Sequence, residues 1–222
     1  RRQRQMCIRD RVYLDDIILM SRTIEEHLER LVMILDRLRD AGLKLKPSKC
    51  DILQKTISFL GHVISYTGIS TDPTKVESVA DWPTPKNVTE VRSFIGLCSY
   101  YRRFVKDFAA IAGPLHALTG KCRNFDWNDR CQEAFEELKR RMISTPILAM
   151  PQDDDEFILD TDASNDGIGA VLSQVQDGQE RVIAYASRLL SKQEKNYCVT
   201  RRELLAVVFF IKQFRVYLLG KH

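Results

Sequence analysis

The adjacent pair Asp15-Asp16 sits between two apolar, β-branched-rich runs, Val12-Tyr13-Leu14 and Ile17-Ile18-Leu19-Met20. That pattern predicts a β-hairpin with both aspartates at its tip. Two carboxylates so close repel, and an exposed pair gains most when a divalent cation sits between them and a phosphate. The same dipeptide also suits a plain turn, because aspartate tolerates turn geometry and hydrogen-bonds its own backbone. A second group comprises Asp160, Asp162 and Glu203. The two aspartates fall on one strand face, so period alone does not choose between them. Glu203 borders an apolar stripe of Leu204 and Val207 on a predicted long helix, where packing on a sheet aims it at the strand end carrying Asp162. Beside Arg201 and Arg202 it equally reads as a solvated helix glutamate. Lys44, Lys46 and Lys49 share a short loop that either touches phosphates or is simply solvated. Tyr100-Tyr101-Arg102-Arg103 mixes rings and cations as nucleic-acid grooves do, and an amphipathic helix with packed tyrosines produces the same string.

The elements that must position these residues emerge from pattern. Thr23 and Glu26 have capping-box spacing, Leu28, Leu31, Leu35 and Leu38 keep helical period, and Gly42 ends that helix. Phe59 to Ile64 reads as one short strand, with Tyr66-Thr67-Gly68 as its turn. Asp72-Pro73 opens a helix that ends near Trp82-Pro83. Asn87 with Glu90 caps another, with the stripe Val88, Val91, Ile95, Cys98 and Phe104, and a further helix runs from about Asp129 to Met142. After a connector over residues 145–156, three strand-like runs cover 157–161, 167–174 and 181–187. A long helix over roughly 193–219, with Leu204, Val208, Ile211 and Leu218 on one face, closes an α/β or α+β arrangement.

Composition excludes several classes. The 222 residues are 44% hydrophobic and 29% charged, against a disordered or collagen-like chain. No apolar run reaches the roughly 18 residues of a membrane span, and no secretory signal is expected. Six scattered cysteines form no C-x-x-C pair, which suits a reducing compartment and gives no zinc site. His62 and His116 lack ligand-spaced partners and read as structural. The net charge of +4 is uninformative, because five of the 34 basic and one of the 30 acidic residues lie in 1–11, leaving 29 of each elsewhere.

Tyr13-Leu14-Asp15-Asp16 resembles the Y-x-D-D polymerase motif of reverse transcriptases. The segment Ala41-Gly42-Leu43-Lys44-Leu45-Lys46-Pro47-Ser48-Lys49-Cys50 is similar to the stretch beyond that motif in gypsy-class LTR retrotransposons, and Phe59-Leu60-Gly61-His62 resembles their primer-grip hairpin. Trp82-Pro83-Thr84-Pro85 and the run from Phe94 to Phe104 resemble the thumb and tether. Thr161-Asp162-Ala163-Ser164 and Gly167 to Leu172 resemble the start of the RNase H domain, and Arg201 to Ala206 its helix. The motifs stand in the family's order from Val12 to His222.

The resemblance implies an α+β/α/β multidomain chain of the gypsy-class Pol polyprotein. Residues 12–65 would be the C-terminal part of a reverse-transcriptase palm, 66–150 a mostly helical thumb and connection, and 151–222 the N-terminal half of an RNase H-like domain with a mixed sheet and packed helix. It implies RNA-directed DNA polymerase and ribonuclease H chemistry with Mg²⁺, or Mn²⁺, as cofactor. Asp15, Asp16, Asp162 and Glu203 would be catalytic metal ligands, and Lys44, Lys46, Lys49, Phe59, Leu60, Gly61, Tyr101, Arg102 and Arg103 would bind nucleic acid. The implied partners are an RNA template, a DNA primer, an RNA–DNA hybrid, deoxynucleoside triphosphates and the remainder of Pol, with no membrane, in the cytoplasm or a virus-like particle. The family places one palm aspartate upstream and one RNase H aspartate downstream of this chain, so the chain alone is expected to be inactive. Residues 1–11, with five arginines, do not follow the family pattern and read as a possible sequence artefact. The alternative is a non-catalytic nucleic-acid-binding or partner-binding protein derived from such an element.

Overall fold

A computed structural model describes residues 11–13, 16–21, 23–120, 125–152 and 156–220; Asp15 lies outside them. The chain divides into two compact units, Arg1–Phe59 and Leu60–His222.

In the first unit, β1 (Arg11–Tyr13) pairs antiparallel with β2 (Asp16–Ile18), with Tyr13 opposite Asp16. The expected hairpin is present, but Asp16 is not a turn residue: it is the first residue of the second strand. Helix α1 (Ile24–Asp40) starts where the capping box places it, with the Glu26 amide donating to Thr23 Oγ1 at 3.2 Å. It ends in a Schellman motif: the Gly42 amide donates to the Arg39 carbonyl, the Leu43 amide to that of Leu38, and Gly42 adopts φ 70°. None of its residues is fully buried, and Ile24, Leu28, Val32 and Leu35 are exposed. Strand β3 (Thr56–Phe59) closes the unit.

The second unit opens with β4 (His62–Ser65) and β5 (Gly68–Thr71), an antiparallel hairpin in which Ile64 faces Ile69. The single strand expected over 59–64 is therefore broken, because Leu60 and Gly61 take φ 48° and 66° and the chain turns there. Gly68, at φ 137°, has no alternative: a Cβ would lie 2.2 Å from the Leu148 carbonyl oxygen. Four helices come next, namely α2 (Pro73–Ala80), α3 (Val88–Tyr100), α4 (Phe108–Leu118) and α5 (Asp129–Ile143). The predicted caps hold: the Thr74 amide donates to Asp72 Oδ1, and the Glu90 amide to Asn87 Oδ1. Phe104 does not extend the α3 stripe, because it sits in a separate 3₁₀ turn, Arg102–Phe104. Phe94, Phe104, Leu115, Leu138 and Met142 fill one core, and the rings of Phe94 and Phe135 are 4.6 Å apart.

The last part is an antiparallel sheet in the order β6 (Phe157–Ala163), β7 (Gly167–Gln176) and β8 (Gln179–Leu189). Helix α6 (Val199–Gln213) and the short α7 (Arg215–Leu218) complete it. Helix α6 packs on β6 and β7, while α4 packs on β8. Ala184 and Ala186 accordingly belong to a second core with Leu172 and Phe210, whereas Tyr185 packs on the helical core. A short extended segment joins the two. Leu148 exchanges both backbone bonds with Ile69, at 2.8 and 2.9 Å, and the next amide, Ala149, donates to the Val182 carbonyl at 2.8 Å. Among the described residues no helix is long and apolar enough to cross a membrane.

Candidate metal and nucleic-acid sites

Asp16 is exposed at the start of β2, the placement a carboxylate needs to meet a ligand from solvent. Lys44, Lys46 and Lys49 are all exposed around the 3₁₀ turn Pro47–Lys49.

The turn at Leu60–Gly61 is held by the end of α3. The Tyr101 hydroxyl donates to the Gly61 carbonyl at 2.7 Å, and the Tyr100 hydroxyl donates to the Leu60 carbonyl. The ring of His62 stacks on Tyr100 at 5.4 Å and meets Tyr101 edge-on. Tyr101 is only 1% exposed, so its ring is not available to stack on a base. Burial, then the charges of Asp72 and Tyr100, push its hydroxyl up to about 12, which keeps it a donor. Burial and then Arg103 hold His62 below the usual histidine range.

Arg102 and Arg103 are also committed to the protein. Arg102 donates to the Ser187 carbonyl at 2.6 Å and lies 6.0 Å over the Phe108 ring, while Arg103 reaches the Ile183 carbonyl at 3.4 Å. These contacts tie the 3₁₀ turn to β8. Both arginines thus strut helices to sheet, while Arg102 stays exposed and Arg103 half-buried.

Asp162 is the penultimate residue of β6, opposite Gly169. It is exposed and shares a face with the equally exposed Asp160, while Phe157, Leu159 and Ala163 alternate onto the α6 core. On α6 the sheet-facing stripe is Ala206 and Phe210, followed by Phe214. The expected inward face is overturned: Leu204 is 62% exposed, and Val208 and Ile211 are exposed too. The helix is apolar almost all round from Leu204 to Ile211, so periodicity did not identify the packed side. Glu203 is half-buried beside Arg202. Arg202 was missed by sequence reasoning, although it stands four residues before Ala206 on the buried stripe. Its Nη1 donates to the Ser164 carbonyl at 3.0 Å and to Asn165 Oδ1 at 2.6 Å. The opening turn of α6 is thereby fixed against the β6–β7 turn, whose Asp166 pairs with Lys195 at 2.5 Å.

Asp162 and Glu203 offer hard oxygen donors, the kind Mg²⁺ takes. Neither makes a side-chain hydrogen bond or ion pair among the described residues, and no group of three or more His, Cys, Asp or Glu there forms a ready cation cage.

Residues 5–64 match the reverse transcriptase (RNA-dependent DNA polymerase) family, and residues 127–222 match the RNase H-like domain found in reverse transcriptase. The Pol polyprotein of transposon 297 from Drosophila melanogaster is 43% identical over 211 residues, covering 95% of this chain and 20% of that polyprotein. That of transposon gypsy, from the same organism, is 37% identical over 94% of this chain and 21% of its own length. The solved structure of a foamy viral protease-reverse transcriptase in complex with an RNA/DNA hybrid superposes with TM-score 0.82 at 24% identity, over 95% of this chain and 29% of that one. The chain belongs to the reverse transcriptase and RNase H-like region of gypsy-class LTR-retrotransposon Pol polyproteins. It spans about a fifth of the length of the curated relatives it matches. Enzymes of this family are RNA-directed DNA polymerases with an RNase H-like domain, and such domains generally use divalent metals. The first match begins inside the basic stretch 1–11, and the second begins ahead of α5.

Proposed function

We propose that this chain contributes to two phosphoryl-transfer sites of one Pol enzyme. Asp15 and Asp16 would serve the polymerase site in a palm segment over 12–65, and Asp162 and Glu203 the ribonuclease H site in 151–222, linked by the thumb and connection over 66–150. The observation that carries the reading is the placement of Asp162 and Glu203. One is exposed at the end of β6, and the other stands beside the Arg202 anchor to the turn after that strand. Mg²⁺, or Mn²⁺, when bound would stabilise the attacking and leaving oxygens of an in-line displacement. The carboxylates hold and orient that charge; the substrate of the first site is a deoxynucleoside triphosphate on a primer and RNA template, and that of the second the RNA strand of a hybrid. A hybrid partner is supported by the foamy viral neighbour, solved with one. The exposed Lys44, Lys46 and Lys49 supply sequence-independent phosphate contacts, and the Leu60–Gly61 turn, with Phe59, steadies the primer strand. Tyr101 holds that turn from behind, and Arg102, which is exposed, with the half-buried Arg103 adds positive charge to the same surface.

Separation of function tests the reading. In a reverse transcriptase–ribonuclease H polypeptide containing this segment, Asp15→Asn should abolish nucleotide incorporation and spare RNA-strand cleavage, and Asp162→Asn should do the reverse. A polypeptide in which Asp162→Asn leaves hybrid cleavage intact overturns the second site.

A further inference from the structure

Along α6 the buried positions recur every four residues, at Arg202, Ala206, Phe210 and, just beyond the helix, Phe214. Three are apolar; the first is a guanidinium only 9% exposed. A charge there is costly unless well partnered. Its partners are neutral, the Ser164 carbonyl and the Asn165 amide oxygen; its Nε has none, and no carboxylate lies within ion-pair distance among the described residues. Methionine would continue the stripe without that cost. What arginine adds is direction, because its planar donors fix two acceptors at once. The cap residue of the helix, Cys198, makes no side-chain cap bond, and the other ties near its start, Lys195 to Asp166 and Arg201 over the Tyr197 ring, lie on exposed side chains, so Arg202 is the buried one. The two acceptors stand two and three residues after Asp162, and the donor immediately precedes Glu203.

We propose that Arg202 is a positioning residue: its fork to Ser164 and Asn165 sets the rotation of α6 so that Glu203 meets a divalent cation together with Asp162. This rests on the metal reading of that pair. Its test is paramagnetic broadening of backbone amides in the whole chain as MnCl₂ is added. In the unsubstituted chain the Asp162 and Glu203 amides should broaden together. Arg202→Met should keep its melting temperature, yet need about tenfold more Mn²⁺ to broaden Glu203, as expected when a group that orients a metal ligand is removed. Arg202→Lys, which still reaches the Ser164 carbonyl, should recover part of the loss. Asn165→Ala, on the exposed turn, removes one arm without touching the helix, should show a smaller loss of the same sign, and decides the matter if Arg202→Met does not fold. Joint broadening at unchanged Mn²⁺ in Arg202→Met and Asn165→Ala overturns the positioning role and leaves the metal reading standing. An unsubstituted chain whose Asp162 and Glu203 amides never broaden together overturns the metal reading and this role with it.

Discussion

Replacing Tyr101 by phenylalanine removes one oxygen from a shielded site and tests how the Leu60–Gly61 turn is held. The hydroxyl donates to the Gly61 carbonyl at 2.7 Å, and the side chain is 1% exposed. Losing one partner of a shielded hydrogen bond costs roughly 1–3 kcal/mol, because the other partner stays desolvated. Tyr100 is the internal control: its hydroxyl bonds the Leu60 carbonyl, but it is 52% exposed, so water can take its place. Tyr100→Phe should therefore cost no more than about 0.5 kcal/mol. For a unit of this size each kcal/mol moves the melting temperature by about 2–4 °C, so Tyr101→Phe should lower it by roughly 2–12 °C. The loss should be local as well as global. The Gly61 and His62 amides should exchange with solvent about tenfold faster, while those of Val91 to Cys98 change only by the global term. If Tyr100→Phe costs as much as Tyr101→Phe, or if neither alters exchange at Gly61, the turn is not held from α3 and the reasoning fails.

Three further outcomes are expected. His62 is held below its ordinary pKa, so the folded state binds fewer protons than the unfolded chain. Stability is fully present above about pH 6.5 and declines as pH falls towards the folded value. His62→Phe, which keeps the stack on Tyr100, should flatten that slope in urea titrations, leaving the part owed to His116, which burial and then Arg102 lower in the same direction; an unchanged slope contradicts the assignment. Phe94→Ala empties a fully buried site beside Phe135 and should cost about 3–5 kcal/mol, read from the denaturant midpoint. Exchanging Lys44, Lys46 and Lys49 for glutamine should reduce the salt slope of hybrid binding by about 0.9 for every phosphate the lysines neutralise, and an unchanged slope assigns them to solvent.

Local chemistry was legible. Thr23 with Glu26, Asp72 with Pro73, and Asn87 with Glu90 all cap helices where spacing placed them, because each signal is complete within four residues. The carboxylates at 160, 162 and 203 were not separable in that way: strand period leaves Asp160 and Asp162 equivalent, and only the resemblance to the family singles out Asp162 and Glu203. Long-range commitments were not legible either. Arg102 and Arg103 bond carbonyls about eighty residues away, so the string Tyr-Tyr-Arg-Arg carried no sign that the sheet engages its cations. Helix α4 escaped notice because Ala109-Ala110-Ile111-Ala112-Gly113-Pro114 has no polar face and an internal proline. The packed side of α6 was invisible for a related reason: a helix apolar on most sides leaves the choice to the sheet. The break at Leu60–Gly61 depends on two positive φ values, one of them in a leucine, which residue type does not foretell.

Leu148 and Ala149 are neighbours in sequence that serve different cores, one bonded to Ile69 and the other to Val182. Such a splice leaves no slack: inserting a single residue there would turn one of the two side chains out of its core. It also bears on how ribonuclease modules are inherited. An exchange between elements that cut the gene at the first sheet strand would leave both residues upstream and part Ala149 from the Val182 carbonyl it bonds and the core it serves. A junction ahead of α5 would keep Leu148, Ala149 and Val182 together, and the bonds to Ile69, being backbone to backbone, survive a change of parent, so recombinant elements should show their breakpoints in the stretch before residue 127 rather than in the connector after residue 149.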